Sequence, residues 1–187
     1  MKKLFLVLLV SVVCISVNAQ TFDGVKIDGS LPSIVQKYKS KGYTLVKNID
    51  NGVIMYGKIA GQKVELYIIT TPKTKLVCKA TVYLPVNNNW YSLKADYERY
   101  VSLFEEKHGE PNDSYHFFKR PYYEGDGYEM TAVATENAVY ASYWMSRNNL
   151  TTAVTISKYK QIEFTYENDR NMEIKSKEES SIESLSF

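Results

Sequence analysis

The stretch SLKADYERYVSLFEEKHG, residues 92–109, decides the fold class of this chain. Its apolar residues recur every three or four positions with charged residues between them, which predicts an amphipathic helix with one side to bury. Ser92 is suited to cap the first turn, and Gly109 can adopt the left-handed conformation that ends a helix. The side to be buried consists of Leu93, Tyr97, Tyr100, Val101 and Phe104.

Segments that alternate apolar and polar residues lie on both sides of this helix and predict β-strands. Between two of them, Asn51 and Gly52 predict a type I′ hairpin turn. A shorter helix is predicted at 30–42, where Ser30 precedes a proline and an apolar stripe. The predicted strands span 43–49, 53–59, 62–70, 75–84, 113–119, 127–136, 138–146, 150–157 and 160–167.

A helix followed by several strands thus occurs twice in the pattern. We therefore expect an α+β fold in which two helices pack on one face of an antiparallel sheet, with the other face partly open and rich in tyrosine. The two units are possible pseudo-repeats at 30–85 and 92–167, within a single domain at 20–171. Residues 172–187 are rich in Ser, Glu and Lys and predict a polar C-terminal tail that is at most a short helix.

The first 19 residues predict a secretory signal peptide. Lys2 and Lys3 precede an apolar run, and Ala19 provides the small residue before the cleavage site. The apolar run is short for a bilayer span, so no transmembrane segment is expected after cleavage. The predicted location is therefore periplasmic or secreted.

Cleavage would change both the charge and the cysteine content. Lys2 and Lys3 leave without any acidic residue, so the formal charge of +2 falls to about zero and nucleic-acid binding is not expected. Cys78 is then the only cysteine, which leaves no internal disulfide. The alternation of its strand places Cys78 in the core as an unreactive thiol.

The two histidines lie near two carboxylates in the sequence. His108, Glu110, Asp113 and His116 could together form a metal or acid–base site, because imidazole and carboxylate groups bind metals and transfer protons. Their spacing matches no established ligand motif, and His108 is also suited to the negative end of the helix dipole. The sequence therefore favours no catalytic residue, no metal and no cofactor.

Tyrosine is the unusual component of the composition, with sixteen in the chain and several between positions 115 and 128. Exposed tyrosine offers a wide contact area and a hydroxyl group, which suits recognition of a protein or a glycan. Tyrosine is also a common half-buried strand residue, but Tyr122 and Tyr123 follow Pro121 in a loop. The predicted contact residues are Tyr115, Arg120, Tyr122, Tyr123, Tyr128 and Trp144.

Three segments, FDGVKIDGS at 22–30, KSKGY at 39–43 and IEFTYEND at 162–169, resemble a group of uncharacterised small exported proteins of Bacteroidetes bacteria. This resemblance supplies no catalytic residues. The doubled helix-then-meander plan is similar in architecture to beta-lactamase inhibitor proteins and to small envelope-assembly lipoproteins, although fold does not determine function. The chain lacks the paired cysteines of the inhibitors.

Together these features predict an exported, non-catalytic binding module that recognises a protein or a glycan through a tyrosine-rich surface. Two alternatives stay open at this point. One is a metal-dependent or acid–base hydrolase that uses the region of His108 and His116, and the other is an envelope-assembly component. The sequence identifies neither the partner nor the oligomeric state.

Overall fold

The computed structural model describes residues 21–146 and 149–184, so the predicted signal peptide lies outside the described residues. Within these two ranges the chain forms ten strands and four helices, which confirms the predicted α+β class. In chain order the elements are β1 (Thr21–Phe22), β2 (Val25–Lys26), α1 (Leu31–Ser40), β3 (Thr44–Ile49), β4 (Gly52–Ile59), β5 (Gln62–Thr70), β6 (Val77–Tyr83), α2 (Trp90–His108), β7 (Asp113–Phe118), α3 (Glu129–Ala134), β8 (Ala138–Ser146), β9 (Leu150–Ile156), β10 (Ile162–Asn168) and α4 (Asp169–Glu183).

One antiparallel sheet holds eight of the described strands, in the order β3-β4-β5-β6-β10-β9-β8-β7. The short strands β1 and β2 pair separately. Helix α1 precedes strands β3 to β6, helix α2 precedes strands β7 to β10, and β6 pairs with β10 at the centre of the sheet. Two helix-then-meander units therefore join through their last strands into one continuous sheet.

Helix α2 packs across strands β8, β9 and β10. Leu93 and Tyr97 are buried as predicted, and the ring of Phe104 stacks on Phe164 of β10 with centroids 5.6 Å apart. Burying a large apolar side chain contributes roughly 1.5–3 kcal/mol, so this stripe is what holds the helix on the sheet.

The start of α2 differs from the prediction. The helix begins at Trp90, and its N-cap is Asn89, whose Oδ1 accepts a hydrogen bond from the Ser92 N–H at 2.9 Å. Asparagine and serine cap helices equally well, so the residue types alone did not distinguish the two positions.

Helix α1 packs on the same face of the sheet as α2. Ile34 and Tyr38 are buried in the shared core, and the Tyr38 ring lies 5.2 Å from Tyr43 and 5.9 Å from Phe22. Phe22 in turn contacts Tyr166 of β10 at 5.3 Å. The two main helices thus cover one face, and we call the opposite face of the sheet the open face.

The predicted strand at 127–136 is wrong, because α3 occupies most of this segment. The Glu129 carboxylate accepts a hydrogen bond from the Gly125 N–H at 2.8 Å, and Ala132 and Val133 are buried beside β8. Alanine, methionine and glutamate are good helix formers, a preference that the short alternating pattern concealed.

The β3–β4 turn also differs from the predicted type I′ turn. Gly52 already pairs with Ile49 as the first residue of β4, so the loop consists of Asp50 and Asn51, and Asn51 has φ 56°. A side chain at Gly52 would collide with the carbonyl oxygen of Ile68. The glycine therefore serves the close approach of two strands rather than the turn.

The predicted polar tail is instead helix α4, which has 15 residues and lies against β6 and β10. The buried Asn171 donates hydrogen bonds from its Nδ2 to the Val77 carbonyl oxygen at 2.8 Å and to the Asp28 carboxylate at 3.2 Å. Further along the helix, Glu178 accepts a hydrogen bond from the Lys73 N–H at 2.6 Å. Because these anchoring contacts are polar, the packing of α4 could not be predicted from its apolar residues, which are few.

Cys78 is fully buried, as predicted. It lies where the β5–β6 register shifts, and its thiol donates a hydrogen bond to the Ile69 carbonyl oxygen at 3.4 Å. Burial raises the pKa of the Cys78 thiol to about 11, so the thiol is protonated at neutral pH.

Candidate functional site

The open face is formed by every second residue of each strand, and the strand register determines which of them are neighbours. Two adjacent cross-strand rows cover its middle. The first row is Tyr56, Glu65, Tyr83, Glu163, Thr155, Ala141 and Tyr115. The second row is Ile54, Tyr67, Thr81, Thr165, Ala153, Tyr143 and Asp113.

The centre of the open face is lined with small residues, whereas its flanks are aromatic. Thr81, Thr165 and Ala153 lie side by side on the central strands β6, β10 and β9, and all three are buried. On one flank the rings of Tyr67 and Tyr83 pack edge to face at 5.3 Å. The small residues Thr81, Thr165 and Ala153 are thus flanked on one side by the aromatic pair Tyr67 and Tyr83.

The other flank consists of the two outermost strands, β7 and β8. Tyr115 and Phe117 of β7 are exposed, and so is Met145 of β8, which has 56% of its surface accessible. Tyr143 lies between them and contacts Tyr115 with ring centroids 6.2 Å apart. We call Tyr115, Phe117, Tyr143 and Met145 the edge patch.

Sequence reasoning identified only Tyr115 of this patch. Tyr143 and Met145 were missed because they are distant in sequence from Tyr115 and are brought beside β7 only by its pairing with β8. Period-two alternation does place Phe117 on the same face as Tyr115, and that signal could have been used.

The prediction that Trp144 contacts a partner is wrong. Only 2% of its surface is exposed, its Nε1–H donates a hydrogen bond to the Gly109 carbonyl oxygen at 2.8 Å, and its ring lies 5.4 Å from Phe104. Alternation along β8 turns Trp144 towards the helices, while its neighbour Tyr143 is on the open face. Trp144 is therefore a core residue that anchors the end of α2.

The remaining predicted contact residues lie in the loop between β7 and α3. Tyr123 and Tyr128 are exposed at 65% and 64%, and Arg120 is also exposed. Tyr122 is partly buried against the core. Three of the four residues predicted in this loop are therefore exposed, and only Tyr122 turns towards the core.

Carboxylates inside the loop hold its shape. The Asp126 carboxylate accepts hydrogen bonds from the N–H groups of Tyr123 and Tyr128 at 3.0 and 2.7 Å. Glu124 forms an ion pair with Lys94 near the start of α2, and this hydrogen bond lowers the pKa of Glu124. The loop is consequently tied to the helix side of the sheet and not to the edge patch.

The alternative site of His108, Glu110, Asp113 and His116 is not assembled. In the described residues, no group of three or more His, Cys, Asp or Glu side chains is close enough to hold a metal ion. His108 packs its ring 5.8 Å from Phe104, and burial, with a smaller effect from Lys107, lowers its pKa. Asp113 and His116 are on opposite faces of β7 by alternation.

His116 belongs instead to a polar chain that the sequence did not indicate. Its Nε2 lies 2.9 Å from the Tyr97 hydroxyl, which lies 2.8 Å from Ser142 Oγ, and Ser142 Oγ lies 2.7 Å from Ser114 Oγ. Burial raises the pKa of Tyr97 to about 12. This chain ties edge strand β7 to the core and to α2.

A cleft of about 890 Å³ opens at the end of the sheet where β4, β5 and β6 meet. We call it the sheet-end cleft. Tyr56, Glu65 and Tyr83 line it side by side, and a neighbouring cleft of about 570 Å³ shares Glu65 and Tyr83 and adds Tyr67 and Tyr159. The sequence prediction missed this site because its residues come from four distant segments.

Comparisons with known proteins add no assignment. No family model matches the chain, and neither the curated proteins nor the solved structures show a significant match. Among the helices within the described ranges, none is both long and apolar enough to cross a membrane.

Proposed function

We propose that this protein is an exported, non-catalytic binding module that captures a protein partner through the edge patch. The predicted signal peptide supports export to the periplasm or the cell exterior. The observation that carries the proposal is the exposure of Tyr115, Phe117 and Met145 around Tyr143 on two adjacent strands.

Exposed apolar surface favours association, because covering it contributes roughly 25 cal/mol per Å² of area removed from water. Tyrosine, phenylalanine and methionine are enriched at the centres of protein interfaces. Phe117 and Met145 carry no hydroxyl group and offer a saccharide few hydrogen bonds. The composition of the edge patch therefore favours a protein over a glycan at this surface.

The backbone of β7 adds a second means of recognition. Among the strands that the structure describes, β7 pairs with β8 alone, so one side of β7 presents N–H and C=O groups that no described strand pairs with. The segment Asp113–Phe118 contains neither lysine nor proline, two residues that commonly block such an edge. An extended segment of the partner can add to the sheet here while its side chains contact the edge patch.

The proposal is tested by capture from the native envelope with immobilised mature protein, followed by crosslinking to locate the contacts. Replacing Phe117 and Met145 by serine should cost at least about 2 kcal/mol of binding free energy, or about thirtyfold in affinity. A control variant replaces Tyr123 and Tyr128, which are exposed on the loop, by serine and should capture the partner like the wild type.

Thermal unfolding of both variants establishes that each is folded before capture is compared. Capture that survives the edge-patch change and is lost in the loop variant would move the site to the loop and refute the proposal. Capture that is unaffected by either change would also refute it.

A further inference from the structure

The sheet-end cleft lies on the other flank of the open face from the edge patch, and its chemistry is different. Its volume of about 890 Å³ is within the range of roughly 300–1,000 Å³ that is typical of ligand sites. Tyr56 and Tyr83 stand on either side of Glu65 in one cross-strand row. Tyrosine and carboxylate side chains therefore alternate along its wall.

Three lysines line the cleft, and one of them, Lys41, is paired with Asp23 at 3.6 Å. Lys58 and Lys63 are direct cross-strand partners in β4 and β5, and both are exposed. Neither ammonium group has a carboxylate partner among the residues that the structure describes. Like charges placed directly opposite one another are unfavourable, and an anion bound between them removes the repulsion.

Hydrogen-bonding groups are fixed within the same cleft. Gln161 donates a hydrogen bond from Nε2 to the Leu84 carbonyl oxygen at 2.8 Å, which orients its amide. Burial, together with nearby Glu163, raises the pKa of Tyr83 to about 12, so its hydroxyl keeps its proton at neutral pH. Glu65 provides an acceptor and already receives a hydrogen bond from the Tyr67 hydroxyl at 3.3 Å.

Saccharides present apolar C–H faces and hydroxyl edges in alternation, which matches tyrosine rings separated by carboxylate and amide groups. The unpaired lysines add a preference for negative charge. We propose that the sheet-end cleft binds an acidic oligosaccharide, with Tyr56 and Tyr83 stacked on sugar rings and Lys58 and Lys63 bound to a sugar carboxylate.

This site extends beyond the proposed protein capture, because it uses different strands and a different ligand. The neighbouring cleft gives the saccharide room for further rings: it shares Gln161 and adds Tyr159, which is 62% exposed in the turn after β9. Lys158 lies 5.8 Å from the centre of the Tyr159 ring, but its ammonium group is paired with Glu136 at 3.5 Å, so the positive charge of the site comes from Lys58 and Lys63.

The test is titration calorimetry of the mature protein with tetragalacturonate and with its fully methyl-esterified, neutral form. We expect saturable binding of the acid form, at least about tenfold weaker binding of the ester, and weaker binding of the acid at high salt. The double variant Lys58→Gln/Lys63→Gln should lose at least about tenfold in affinity for the acid.

The matched control is Lys37→Gln/Lys107→Gln, which makes the same change of charge at two exposed lysines outside the cleft and should bind normally. The variant Tyr56→Leu should weaken the binding of both saccharides by about threefold to tenfold, because it removes a stacking face without removing charge. All of these side chains are exposed, and the thermal midpoint of each variant establishes that it is folded.

Three results would each overturn the inference. They are the absence of saturable heat with the acid form at millimolar concentration, equal affinity for acid and ester, and unchanged affinity in the Lys58→Gln/Lys63→Gln variant. The edge patch is intact in every one of these proteins, so failure here is distinguishable from failure of protein capture.

Discussion

Replacing Asn171 by alanine should strongly destabilise the fold, although the residue directly precedes the segment that the sequence predicts to be a polar tail. The side chain is 4% exposed and donates to the Val77 carbonyl oxygen and to the Asp28 carboxylate. Losing the first bond leaves a buried carbonyl without a donor, which costs about 1–3 kcal/mol. The second bond is partly exposed to water and adds less, so we expect a total of about 2–3 kcal/mol.

The pH dependence of this loss provides a further check. Burial raises the pKa of Asp28, but hydrogen bonds from Lys26 and Asn171 outweigh it, and the net shift is downward. A carboxyl with a depressed folded-state pKa stabilises the fold above its unfolded pKa, and this contribution is lost as the pH falls through the folded pKa. The difference between wild type and Asn171→Ala should therefore be smaller at pH 3 than at pH 7.

Urea unfolding followed by circular dichroism measures both quantities. The control Ser176→Ala lies in the same helix at an exposed position and should change the free energy of unfolding by no more than about 0.5 kcal/mol. Folded domains are stable by only about 5–15 kcal/mol, so the expected loss is easily resolved. A loss below about 0.5 kcal/mol for Asn171→Ala would show that α4 is not anchored as described.

Two further predictions concern the core. Gly57→Ala should lower the free energy of unfolding by about 1–3 kcal/mol in urea titrations, because the added Cβ would overlap the ring of Tyr43. An unchanged midpoint would mean that this ring moves freely. The thiol of Cys78 should react with Ellman's reagent at pH 8 only as fast as the protein unfolds, and at once in 6 M guanidinium chloride; fast reaction in native buffer would contradict its burial.

Much of the fold follows from local patterns in the chain. The apolar stripe around Leu93 and Tyr97 predicted α2, and alternation predicted most strands, because helices and strands each bury residues at a fixed period. The failures occurred where polar contacts replace apolar ones. Helix α4 is anchored by hydrogen bonds of Asn171 and Glu178, and the first turn of α3 is held by a hydrogen bond to Glu129. Such polar contacts leave no periodic pattern of apolar residues in the sequence.

The candidate site was less predictable than the fold for a geometric reason. The predicted contact residues were expected to form one surface, but the fold separates them. Tyr115 is on the open face, Tyr122 is half-buried in the loop, and Trp144 is in the core. Residues that do meet on the open face, such as Tyr67 and Tyr83, come from different strands. The pairing register of the strands determines which residues are neighbours on the open face. That register depends on the strand order, which local sequence patterns do not reveal.

Strand order also determines whether the two proposed sites can act together. Tyr56 and Tyr115 stand at opposite ends of one cross-strand row that crosses seven strands, from β4 to β7. At about 4.8 Å per strand spacing the path between them is roughly 29 Å. Groups separated by more than about 10 Å without shared partners contribute independently. A protein on the edge patch and a saccharide in the sheet-end cleft therefore need not compete, and one molecule has room to hold both.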